Sequence, residues 1–221
     1  MTVAVDMIGV PPHAAAPALP LPRRPAAMEG PWEGARWWYE NVLGWPVLPG
    51  APLRLRTGVR FDVLEVPAGA GRAALRRLGA GTSAGAGEAG GMKGGDTGPG
   101  FPVAVRGGRM LLLVAAGGAE ELPGLLEWLE WGPVTLDLTA SGAGGCVEAP
   151  LPPSPAGSPV GRGGSQGAAV WLRPPVPGRE AECPLPALSA VAGPSRAPDL
   201  ARLVHTLATQ VHRTRLSRAA R

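Results

Sequence analysis

The chain has little of what small stapled or metal-organised proteins depend on. It holds two cysteines, Cys146 and Cys183, far apart and in no Cys-x-x-Cys pair. That excludes a zinc finger and a disulfide framework, and the expectation is two buried thiols in a reducing compartment. The only histidines are His13, His205 and His212, near the two ends of the chain, which leaves no Ser/His/Asp triad worth drawing. Gly142 to Gly145 is not followed by Lys and Ser or Thr, which excludes a phosphate-binding P-loop. No apolar run approaches the roughly 20 residues that a membrane-spanning helix requires. Residues 1–10 carry Asp6 and no basic run ahead of the apolar residues, a poor match to a signal peptide. These absences together predict a cytoplasmic protein with no membrane partner.

What is plentiful is glycine (34) and proline (27), more than a quarter of the 221 residues, beside a hydrophobic fraction of 45%. Such a mixture implies segregation. Apolar segments able to form a core alternate with Gly/Pro/Ala tracts that bury too little to offset their ordering entropy. The formal charge is +4, and of 21 basic residues only Lys93 is a lysine. Arginine forks suit phosphate, but a genome rich in G and C favours the same Arg, Ala, Gly and Pro codons. The charge permits nucleic-acid contact without establishing it.

Residues 1–28, with Pro11, Pro12, Pro17, Pro20, Pro22 and Pro25, read as a disordered or polyproline arm. Glu29 to Leu43 reads as a helix with Ala35, Trp38 and Val42 on one face, stopped by Gly44. Gly58 to Val66 alternates and is rich in β-branched residues, which predicts a strand. A short helix follows over 70–78, then a Gly/Ala/Ser insertion over 79–100. Phe101 to Val105, Gly107-Gly108 and Met110 to Ala115 predict a hairpin. Glu120 to Trp131 reads as a helix with Leu122, Leu125, Leu126 and Leu129 inward and acids in its first turn. Strands are predicted over 134–138, 146–149 and 168–173, with a Gly/Pro/Ser stretch over 150–167. Asp199 is placed to cap a final helix with a stripe of Leu200, Leu203, Val204, Leu207 and Val211. The order predicts an α+β fold, with helices packed on a mostly antiparallel sheet.

Several of these segments, in this order, resemble the bifunctional DNA primase/polymerase (prim-pol) domain of the archaeo-eukaryotic primase superfamily. Gly44-Trp45-Pro46-Val47 is similar to that family's entry motif, Gly58 to Val66 to its acid-bearing strand, and Gly107 to Leu111 to its Gly-Gly-x-His strand. VTLDLTASGAGGCVEAPLPP (134–153) is similar to its third motif, and Ala169 to Leu172 to its closing strand. The likeness covers about residues 35–190. It divides the chain into the arm at 1–28, a prim-pol-like domain over 29–190 and a linker with a basic helix over 191–221.

The resemblance implies metal-dependent nucleotidyl transfer with Mg or Mn, in which carboxylates gather on one face. The family's strand supplies two acids two positions apart. Asp62 holds the first position, and Leu64 stands at the second. Glu65 is one residue further and belongs to the opposite face, unless a bulge brings it round. Asp137 matches the acid of the third motif. Met110 stands where the family has a phosphate-contacting His, and Met neither donates a hydrogen bond nor carries charge. Arg109 and Arg106 are the candidate phosphate ligands, although Arg109 alternates away from Met110. Each residue also has a plain reading, with Asp62 and Glu65 as solvated strand residues and Asp137 turned to water. His205 and His212, with Arg202, Arg213, Arg215 and Arg218, read as a phosphate-binding edge or a solvated helix face. Trp37, Trp38 and Trp45 read as core anchors rather than base-stacking platforms.

Three functions follow. The first is a catalytically weakened prim-pol-like domain that binds nucleotide or nucleic acid. The second is an active polymerase using Asp62, Glu65, Asp137 and Mg or Mn. The third is a scaffold that meets a protein partner through its Pro-rich segments.

Overall fold

Short strands and helices alternate along the chain, as its switches between two-residue and 3.6-residue apolar periods require. A computed structural model describes residues 32–83, 100–153, 168–178, 185–188 and 198–220. In it α1 (Glu33–Trp37) continues into one wide turn (Trp38–Val42), followed by β1 (Val47–Leu48), β2 (Arg54–Arg56), β3 (Asp62–Pro67) and α2 (Ala68–Ser83). Then come β4 (Val103–Arg106), β5 (Arg109–Val114), α3 (Gly118–Trp128), β6 (Thr139–Ser141), β7 (Cys146–Glu148), β8 (Val170–Arg173) and α4 (Leu200–Ala219). Five strands form an antiparallel sheet in the order β6-β3-β5-β4-β8, and three form a small antiparallel sheet, β1-β2-β7. The fold is α+β with antiparallel sheets, as the sequence predicts.

The five-stranded sheet is covered on both faces. Even-numbered residues of its central strands (Leu64, Val66, Met110, Leu112, Val114) pack beneath α2, α3 and α4. Odd-numbered ones (Val63, Leu111, Leu113) pack against α1, Trp45 and the small sheet through Leu53 and Leu55. The β4–β5 hairpin turns at Gly107-Gly108, with Arg106 and Arg109 as its closing pair. Asp199 caps α4, its Oδ1 accepting from Arg202 N at 2.7 Å, and the whole stripe from Leu200 to Val211 is buried in the helix-side core. No helix among the described residues is long and apolar enough to cross a membrane.

Several expectations are corrected. The α1 face that goes inward is Ala35, Tyr39 and Leu43, with Trp38 only partly covered. Leu43 N bonds back to Trp38 O, a five-residue span that shifts the register of the last turn. Tyr39 takes the buried place because its hydroxyl is satisfied there. It donates to Pro150 O (2.5 Å) and accepts from Trp171 Nε1 (3.2 Å). Burial pushes the Tyr39 hydroxyl well above its ordinary pKa.

The strand expected from Gly58 starts only at Asp62, because residues 58–61 form a turn closed by Gly58 N to Phe61 O. The strand expected over 134–138 does not form. There Leu136 and Leu138 pack partly on the helix-side core, while Thr139–Ser141 takes the β3 edge instead. Cys146 is free and half-buried rather than buried. The arm at 1–28, most of the 79–100 insertion, most of 150–167 and Cys183 lie outside the described residues.

Candidate functional site

β3 carries both Asp62 and Glu65, and its register with β5 runs without interruption from Asp62↔Val114 to Pro67↔Arg109. No bulge brings Glu65 round, so alternation holds. Asp62 shares the helix side with Leu64, and Glu65 lies on the side of the small sheet.

Asp62 is fully buried and its oxygens are spoken for. Oδ1 accepts from Gly58 N (3.0 Å). Oδ2 accepts from Gly117 N (2.8 Å) and Ala119 N (3.0 Å). The last two are orphan donors at the start of α3, where the helix dipole favours a negative group. Burial pushes the Asp62 carboxyl above the usual carboxylate range, the neighbouring Glu120 adds to the push, and the three N–H donors pull the other way. Glu120 is exposed and accepts from Ala143 N (2.9 Å), which holds its carboxyl below the usual range. Together the two acids fasten three segments: the turn at 58–61, the start of α3 and the Gly-rich turn at 142–145. Glu120 and the Gly117 and Ala119 amides were not singled out from sequence. An acid at the third position of α3 is the one signal the sequence offers, and the helix dipole alone accounts for an acid there.

On the other side of the sheet a second cluster forms. Arg109 Nε donates to Glu65 Oε1 (3.0 Å), its Nη2 to Glu65 O (3.3 Å) and its Nη1 to Asp137 Oδ1. Arg106 stands 3.7 Å from Glu65 and 3.9 Å from Glu148. Burial pulls the Arg109 guanidinium down, but its bonds to Asp137 and Glu65 outweigh this and raise its pKa. Asp137 is more than half exposed, so its pair with Arg109 adds at most about 1 kcal/mol. Glu148 also escaped the sequence reading, since it comes into reach only through the pairing of β7 with β2.

Of the five candidates named from sequence, the fold thus gathers Glu65, Arg106, Arg109 and Asp137 and leaves Asp62 on the far face. Met110 is fully buried in the helix-side core. No protein-family model, no curated protein and no solved structure matches the chain. Among the described residues no group of three His, Cys, Asp or Glu is placed to hold a metal ion.

The residues do not fit a two-metal centre. Such a centre needs carboxylates that converge on ions about 3.5–4 Å apart. Asp62 turns its oxygens onto backbone N–H groups, and Glu65 and Asp137 turn theirs onto a guanidinium. The Arg106–Arg109 cluster sets two cations against three carboxylates, which disfavours an incoming phosphate.

Proposed function

We propose that the chain is a primase/polymerase-like domain that binds nucleotide or nucleic acid and does not transfer nucleotides. The single observation that carries the reading is the division of the acids. Asp62 lies on one side of the sheet, bound by three backbone N–H groups, and Glu65 and Asp137 lie on the other, bound by Arg109. Nucleotidyl transfer requires those groups to be free and on one face, so that metal ions grip the attacking and leaving oxygens together. The motif order, the antiparallel α+β fold and the arginine-rich composition support the kinship and the binding. A cytoplasmic location belongs to the same reading, since a nucleic-acid partner is met there.

The test is an extension assay with radiolabelled dNTPs and NTPs, a primed and an unprimed template, and Mn. The expected result is no incorporation above a no-protein control, alongside binding of single-stranded DNA at low salt. Incorporation by the wild-type chain that disappears in Asp137→Ala would overturn the reading.

A further inference from the structure

Charge is sorted between the helices that cover the sheet. α2 presents Arg72, Arg76 and Arg77 and α4 presents Arg202 and Arg213, all exposed, and neither helix contains an Asp or Glu. α3 is the reverse, with Glu120, Glu121 and Glu127 and no basic residue. None of those five arginines has an ion pair or side-chain hydrogen bond among the described residues, whereas Arg215 is engaged with Thr135 O.

α4 packs against both α2 and α3. Trp131, just beyond α3, meets His205 and His212 with ring centroids 6.2 and 5.8 Å away, which fixes that flank of α4 toward α3. At about 100° per residue, Arg202 lies about 60° round from His205 and Arg213 about 100° round from His212, in the same sense. Both are therefore rotated away from the Trp131 contact, in the same direction round α4. They are three helical turns apart, about 16 Å along the axis, while Arg72 and Arg76 stand one turn apart on α2. Arg72, Arg76, Arg202 and Arg213 are thus exposed side chains of two helices packed on each other over the same side of the sheet, and α3 with its glutamates packs on α4 at the Trp131 flank.

We infer that the outer face of α2 and α4 docks the phosphate backbone of a nucleic acid through Arg72, Arg76, Arg202 and Arg213. The inference deepens the binding half of the proposed function and rests on it. Guanidinium forks match phosphate oxygens geometrically. The nearest carboxylate on α4 is its cap Asp199, which is committed to the backbone N of Arg202. Among the described residues, therefore, no ion pair of these four guanidiniums must be displaced, in contrast to Arg106 and Arg109. A membrane surface is the weaker match. Interfacial helices anchor through bulky apolar side chains, and Leu216 is the single large hydrophobic that these two helices expose among the described residues.

The test is fluorescence anisotropy of a labelled single-stranded oligonucleotide over a salt series. It compares the wild-type chain, the quadruple variant R72Q/R76Q/R202Q/R213Q, and R54Q/R56Q, whose exposed arginines lie on the small sheet. Gln keeps helix propensity close to that of Arg, and circular dichroism confirms that each variant is folded. The quadruple variant is expected to bind about tenfold or more weakly at low salt. Its salt slope should fall by about 3, at about 0.7 per phosphate contact. The R54Q/R56Q variant should stay within about twofold of wild type, because it removes none of those contacts. Quadruple-variant binding equal to wild type would overturn this surface and leave the proposed function standing. Wild-type binding to phosphatidylserine vesicles tighter than to the oligonucleotide would overturn it as well. Absence of any wild-type binding to DNA would end the binding reading itself.

Discussion

Replacing Asp62 by Ala is expected to destabilise the protein by about 3 kcal/mol, read from the urea midpoint. The substitution removes the acceptor of three backbone N–H groups, those of Gly58, Gly117 and Ala119. Each donor left without a partner costs about 1–3 kcal/mol, and we take the lower end because the bonds are only partly buried. Asp62→Asn should fall between the two, since the amide keeps one acceptor oxygen and turns an N–H toward a donor. A free catalytic carboxylate would behave in the opposite way. Its removal usually costs little stability, because active-site groups are held at the expense of the fold. A loss below about 0.5 kcal/mol for Asp62→Ala, within the range of ordinary surface substitutions, would show that the carboxylate is not the clasp described.

Gly58→Ala should cost a similar amount, again about 3 kcal/mol, for an independent reason. Gly58 has φ +81°, where an L side chain costs about 1–2 kcal/mol. An added Cβ would also stand 2.3 Å from Ala143 Cα and 2.6 Å from Ala143 N. Those are backbone atoms, so relief requires the 142–145 turn to move, and overpacking of this kind costs about 1–3 kcal/mol. That turn also holds Glu120 through Ala143 N, so the displacement reaches the start of α3. Thermal or urea unfolding reads the effect. An unchanged midpoint would mean that the turn at 58–61 and the turn at 142–145 are not locked together.

The two substitutions act on one clasp from different ends, which bears on what was legible in the sequence. Features that depend on neighbours along the chain were. The Gly-Gly hairpin, the Asp199 cap with its five-residue stripe, and the opposite faces of Asp62 and Glu65 all follow from local periodicity, and all hold. Features that depend on partners far away were not. β2 is three residues, one Leu between two Arg, too short to show alternation, and it exists because β1 and β7 pair with it. The segment VTLDL alternates well but is not a strand, because the edge of β3 is taken by Thr139–Ser141. Alternation alone cannot tell whether an edge is free.

The roles of the charged residues divide in the same way. That Glu65 could not join Asp62 followed from the pleat. That Arg109 would bind Glu65 and Asp137 needed the register of β5 against β3 and the path of the chain after Pro133. That Asp62 would be fully buried had no local sign, since its three donors come from four residues before it and from 55 and 57 residues after it. The separation of basic α2 and α4 from acidic α3 is readable in the composition of each helix. Its meaning appears only when α4 is seen to lie between the other two.

The most direct measurement of the split acidic site is a Mn titration of the 15N-labelled chain followed by NMR. A paramagnetic ion held by Asp62 would broaden the amides of Gly58, Gly117 and Ala119 first, and one shared with Asp137 would broaden Arg109 along with them. With the carboxylates committed to N–H groups and to Arg109, no selective loss at these amides is expected at substoichiometric Mn. Simultaneous early broadening of Gly117, Ala119 and Arg109 would place the acids around one ion and contradict the account.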